Sequence, residues 1–173
     1  MVELITYAQH DVKASPEWAT VEKIARALLA ELNSPDTAAK IVAANRPRGA
    51  SQMVQGAFGP AAQALGFQSE RNGLFTDTIT GLRPDYFLPM AGTGILLEVE
   101  RGKTTTNNMD LLDFWKCHIC GLAHYLFLLV PRELKHNHKM SPKREFQTVA
   151  RRLKPFFEPG RYTNVRGLCL FGY

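Results

Sequence analysis

Residues 84–103 read PDYFLPMAGTGILLEVERGK, and the fold turns on this stretch. Two segments, Pro84 to Leu88 and Ile95 to Arg101, flank Ala91-Gly92-Thr93-Gly94, a turn sequence. In the second segment Ile95, Leu97 and Val99 alternate with Leu96, Glu98 and Glu100, the period of a β-strand. Glu98 and Glu100 therefore point to one face, and the short turn brings Asp85 beside Glu98. Leu96 marks that same face as core. Two carboxylates ~4–5 Å apart repel by roughly 3–4 kcal/mol at an effective dielectric near 20, so a cation, a proton or a basic side chain must offset them. An oxygen-only donor set suits Mg²⁺ or Mn²⁺ rather than zinc.

Outward from this pair the pattern changes. Upstream, Ser15-Pro16 and Ser34-Pro35 are helix starts, an N-cap serine followed by proline at the first helical position. The first helix runs to Leu32, with Asn33 closing it, and the second to about Asn45. After the break at Arg46-Pro47-Arg48-Gly49, Ser51 caps a third helix through Ala64, with a bend expected near Gly59-Pro60 and Gly66 ending it. Short strands are expected at Phe67 to Glu70 and Leu74 to Asp77, around an Arg71-Asn72-Gly73 turn. Downstream, the pattern gives a helix over Asn107 to Leu122 and a continuous apolar strand over Tyr125 to Val130, buried on both faces. A helix from Pro142 to Phe157 and a strand from Val165 to Phe171 complete the chain. The expected architecture is an α/β domain with a mixed central sheet flanked by helices. Residues 1–48 form a helical extension and 49–173 the core.

The 173 residues include 45% hydrophobic and 21% charged, the balance of a globular protein with a real core. The N-terminus lacks the basic start and apolar run of a signal peptide, and no apolar stretch is long enough to span a bilayer. A cytoplasmic location is expected. The net charge of +5 concentrates between Arg132 and Arg166, where ten Lys and Arg face only Glu133, Glu145 and Glu158. Such a basic wall beside an acidic centre suits a phosphate-bearing partner. Cys117-x-x-Cys120 falls within a helical pattern without a second ligand pair at zinc spacing, so the three cysteines read as buried structural residues. Trp115 and Phe114 read as helix core. There is no nucleophile elbow, Walker loop or dinucleotide fingerprint.

Pro84-Asp85, a gap, then Glu98-Val99-Glu100 resembles the motif of the PD-(D/E)XK nuclease superfamily, with its restriction-endonuclease-like fold. The likeness runs from about Ser51 to Pro131. It implies a metal-dependent DNA endonuclease of restriction or repair type, with Asp85 and Glu98 as metal ligands and the Val99 carbonyl as a further one. The family usually has lysine where this chain has Glu100, although some restriction endonucleases are similar in having glutamate. Glu100 then orients or deprotonates water, or helps hold a second metal. Lys103, just past the strand, and Lys116, on the following helix, are placed to supply the missing positive charge. For Lys116 an intrahelical pair with Asp113 is the plainer reading. Asn107 and Asn108, before that helix, and Lys143, Arg144, Arg151 and Arg152 complete a candidate DNA-contacting set. Gln52 and Gln55 lie within reach of the site, though a solvated role is the plainer one. Cleavage of both strands of a duplex makes a homodimer an option by symmetry. The competing reading is a catalytically inactive nuclease-fold module that binds nucleic acid or a partner, and Glu100 in the lysine's place is the feature that favours it.

Overall fold

A computed structural model describes residues 1–45, 51–69, 82–102, 104–134 and 141–173. Among the described residues six strands form one mixed sheet in the order β1-β6-β5-β4-β3-β2. They are β1 (Glu3–Ala8), β2 (Gln68–Ser69), β3 (Tyr86–Met90), β4 (Thr93–Val99), β5 (Tyr125–Val130) and β6 (Gly167–Gly172). The helices are α1 (Pro16–Leu32), α2 (Pro35–Ala44), α3 (Ser51–Ala64), α4 (Met109–Ile119) and α5 (Glu145–Leu153), the last running into a 3-10 turn, Lys154–Phe157. Strands β4, β5 and β6 are parallel, and β1, β2 and β3 pair antiparallel at the edges.

Each parallel step is made by one helix, α4 between β4 and β5 and α5 between β5 and β6, the ordinary crossover connection. Leu96, Leu126, Leu128, Leu168 and Leu170 pack under these two helices, against Phe114, Phe146, Val149 and Leu153. The opposite side chains of the same strands, among them Ile95, Leu97, Val99, Phe127 and Phe171, pack under α1 and α3. All six β5 residues are buried, which is why that strand reads as an unbroken apolar run rather than an alternation. Close approach sets two glycines: a Cβ on Gly167 would meet the Trp18 ring at 2.3 Å, and one on Gly172 the Phe146 ring at 2.6 Å.

The mixed sheet flanked by helices is the architecture expected from the sequence. The N-terminal helical extension needs correction. Residues 3–8 form β1, paired along its whole length with β6, and Trp18, Val21, Ala25 and Leu28 of α1 lie in the same buried cluster as the central strands. Boundaries also move. Strand β4 begins at Thr93 and ends at Val99, so Glu100 and Arg101 follow it; α4 begins at Met109, after turns over 104–108, and ends at Ile119. Helix α3 is continuous through Pro60. Pro89 is tolerated in β3 because β2 pairs only with Tyr86 and Phe87, leaving Pro89 outside that ladder. The strand expected at 74–77, its turn at 71–73 and Lys103 lie outside the described residues. Among the described residues no helix is long and apolar enough to cross a membrane.

Candidate active site

Glu98 reaches its position through strand alternation. Leu96 and Glu98 project from β4 toward α4, so a carboxylate is pressed into a face otherwise made of leucines. Glu98 is 3% exposed. Its Oε2 accepts the Asp85 backbone N–H at 3.2 Å, while Asp85 Oδ2 accepts the Val99 N–H at 2.8 Å. These crossed bonds lock the two carboxylates side by side where β3 begins and β4 ends. Gln55 of α3 donates its Nε2 to Asp85 Oδ1 at 2.9 Å, fixing that carboxylate from the other side.

Helix α4 supplies the rest. Asp110, Asp113, Phe114 and Cys117 form its buried face, so two aspartates occupy core positions of the helical period. Lys116 Nζ lies 3.0 Å from Glu98 Oε1 and 2.8 Å from Asp113 Oδ1, bridging strand and helix. The intrahelical pair expected for Lys116 is present, and the same ammonium also binds Glu98. From sequence Asp113 was named only as the intrahelical partner of Lys116, not as a site residue; its further signal was an acidic residue four before Cys117 on the apolar stripe. Glu100, just beyond β4, is held by its backbone: its N–H donates to the Leu129 carbonyl at 2.8 Å, and its own carbonyl accepts Tyr173 Oη at 2.6 Å.

The electrostatics follow from crowding. Burial, then Asp113 and Asp85, push the Glu98 pKa well above the carboxylate range, against the pull of Lys116. Burial and neighbouring Asp113 push Glu100 up to about 8. Burial also raises Asp113, opposed by Lys116. Burial works against the Lys116 ammonium, but Glu98 and Asp113 outweigh it and hold its pKa above the usual lysine range. The cluster thus carries more carboxylate than its bound lysine neutralises.

Asp85, Glu98, Glu100 and Lys116 border a cavity of about 460 Å³ that also touches Arg83, Arg101, Gly102, Asn107 and Met109. The structure brings together Asp85, Glu98, Val99, Glu100, Asn107 and Lys116 of the residues expected from sequence. It places others elsewhere. Arg152 is committed within the protein, with Nη2 on Asn108 Oδ1 at 2.7 Å, Nη1 on the Thr105 carbonyl at 3.2 Å and Nε 3.4 Å from Asp110. Lys143 Nζ donates to Thr106 Oγ1 at 3.0 Å. Both therefore brace the 104–108 turns, Arg152 from α5 and Lys143 from the segment before it, while Arg144 and Arg151 are exposed. Trp115, expected in the helix core, is exposed, whereas Phe114 is buried. All three cysteines are buried.

A bound divalent cation fits the chemistry of this donor set: hard carboxylate oxygens, crowded, with raised proton affinity. Among the described residues, however, no three Asp, Glu, His or Cys side chains are already arranged around a common point as metal ligands. Lys116, Gln55 and backbone N–H groups engage oxygens of Asp85 and Glu98.

No family model matches the chain, and no curated protein matches it. Among solved structures, that of the restriction endonuclease BglII complexed with a DNA 16-mer aligns with 99% of this chain and 77% of that one, at 13% identity and a TM-score of 0.48.

Proposed function

We propose that this chain is a metal-dependent DNA endonuclease that hydrolyses phosphodiester bonds, of restriction or repair type, using Mg²⁺ or Mn²⁺. The observation that carries the reading is the juxtaposition of Asp85 and Glu98, locked by crossed hydrogen bonds at the mouth of a cavity and surplus in negative charge. Asp85 and Glu98 would hold the cation, with the Val99 carbonyl as a further oxygen. When bound, such a cation polarises a phosphodiester and lowers the pKa of water. Glu100, in the lysine's place, takes or orients the proton of the attacking water once it is ionised. Lys116 has three N–H donors. Two serve Glu98 and Asp113, and the third is left for a phosphate oxygen; this assigns Lys116 the charge-stabilising role, alongside Lys103. Asn107 borders the same cavity and is placed to hydrogen-bond the backbone. Cutting both strands of a duplex calls for two such sites, so a homodimer belongs to the proposal.

The test is cleavage of plasmid and oligonucleotide DNA with Mg²⁺, Mn²⁺ or EDTA, at stated salt. Cleavage is expected with either cation and is lost in Asp85→Ala and Glu98→Ala. Cleavage that survives both substitutions contradicts the site. The second reading is a nuclease-fold module that binds nucleic acid without cutting it. Lys116 favours it, because its ammonium stands among the carboxylates where a cation would otherwise neutralise them. That reading predicts DNA binding with no cleavage under any cation.

A further inference from the structure

A second, larger cavity adjoins the candidate site. It measures about 950 Å³, at the upper end of ordinary ligand pockets, and lies between α3 and the β2–β3 edge. It shares Gln55, Arg83 and Asp85 with the first cavity, so the two are adjacent. Its lining is unusual in one respect. Four glutamines, Gln52, Gln55, Gln63 and Gln68, converge on it, three of them exposed.

Gln52, Gln55, Gly56, Gly59 and Gln63 fall on one face of α3. The two glycines have different explanations. A Cβ on Gly59 would stand 3.0 Å from Tyr86 Oη, so packing accounts for it. A Cβ on Gly56 would meet no described atom within 4 Å. An exposed glycine inside a helix weakens that helix, and no neighbour here requires it. Pro60 adds to this opening. It lacks the N–H that residue 60 would ordinarily give to the carbonyl of residue 56, which loosens the helix at this point.

We propose that this trough receives unpaired nucleobases of the strand whose phosphate lies at Asp85 and Glu98. The proposal rests on the nuclease reading of the adjoining site and adds a substrate preference to it. Amide side chains carry donor and acceptor together without charge, which matches base edges such as the bidentate glutamine–adenine pair. Phosphates are bound mainly by cations, and glutamines predominate here. A paired and stacked base cannot enter a trough of this kind, so strands that are single, frayed or branched are preferred over continuous duplex.

The experiment measures binding by fluorescence anisotropy in EDTA, where no cleavage occurs. Three fluorescein-labelled DNA probes are compared at one salt concentration: a single strand, the same strand with abasic residues, and a duplex. The abasic strand keeps every phosphate, so electrostatic attraction is held constant. Wild type is expected to bind the base-bearing strand about tenfold or more tightly than the abasic one. Gly56→Leu fills the trough and Gln63→Ala removes an exposed amide; each is expected to shrink that ratio while leaving abasic and duplex affinities unchanged. Neither substitution disturbs a buried contact, and thermal melting verifies that both fold. Equal affinity of wild type for base-bearing and abasic strands overturns the proposal. So does an unchanged ratio in Gln63→Ala together with folded Gly56→Leu, or an equal loss of duplex binding in both. The nuclease reading fails separately, by absence of cleavage in wild type.

Discussion

Two groups of buried charge lie under α4, and they differ in what surrounds them. At one, Asp85, Glu98, Glu100 and Lys116 border an open cavity with Asp113 buried behind them, and the carboxyls outnumber the lysine that binds them. At the other, Asp110 and Glu145 are sealed beneath the 104–108 turns. Arg152 is ion-paired to Asp110, and Glu145 Oε2 accepts the Thr105 N–H. Buried carboxylates alone therefore do not mark a reactive site. The second cluster uses its charge to fasten a loop to α5. The first leaves a surplus facing a cavity, and on the proposed reading surplus together with access is what a cation and a phosphate would use.

The largest expected effect separates the two clusters by activity. Glu98→Ala lowers DNA cleavage by more than about a hundredfold, because even groups that only orient a metal's ligands are worth ~10–100-fold. Asp110→Asn, measured on folded protein, changes the rate by only about threefold or less. A loss in Asp110→Asn as large as that in Glu98→Ala would erase the distinction.

Next in size is a stability effect in the sealed cluster. Arg152→Met leaves Asp110 buried without its ion pair, and breaking such a pair costs roughly 3–5 kcal/mol. Urea unfolding should show a lowered midpoint with the slope retained. An unchanged midpoint would mean that Arg152 does not fasten the loop.

The smallest effect concerns pH in the open cluster. The folded-state pKa of Glu100 is raised from the usual 4.5 to about 8. Below pH 4.5 both folded and unfolded states hold the proton. Between 4.5 and 8 the unfolded chain releases it while the folded protein keeps it, so stability falls as pH rises through this window, and the loss is complete above about 8. Glu100→Gln lacks this component. Its Tm in EDTA should decline less steeply from pH 5 to 8 than that of wild type, whose Glu98 and Asp113 keep part of the slope in both proteins. Parallel curves would place Glu100 in ordinary solvent.

The motif strands and the buried β5 were legible in the sequence because strand period and apolar continuity are local signals. Strand β1 was not: Glu3 to Ala8 has no hairpin partner, and its place is set by pairing with β6 at the far end of the chain. Asp85 and Glu98 could be paired across one short turn. Asp113 was read as part of an intrahelical pair, since nothing local shows that Lys116 also reaches Glu98 on a strand 18 residues away. Arg152 and Asn108 looked like a phosphate-contacting surface for the same reason. Their bond spans 44 residues and exists only because α5 packs against the turns before α4. Gln55 was named as within reach of the site, and its bond to Asp85 Oδ1 depends on where α3 lies across the sheet.

The central claim is that Asp85 and Glu98 form a cation-holding pair rather than a set of satisfied hydrogen bonds. Calorimetric titration of the metal-free protein with Mn²⁺, wild type beside Asp85→Asn, tests it most directly. The account predicts saturable heat in wild type that disappears in Asp85→Asn while the variant still melts cooperatively. No heat from wild type, or the same heat from both proteins, would contradict it.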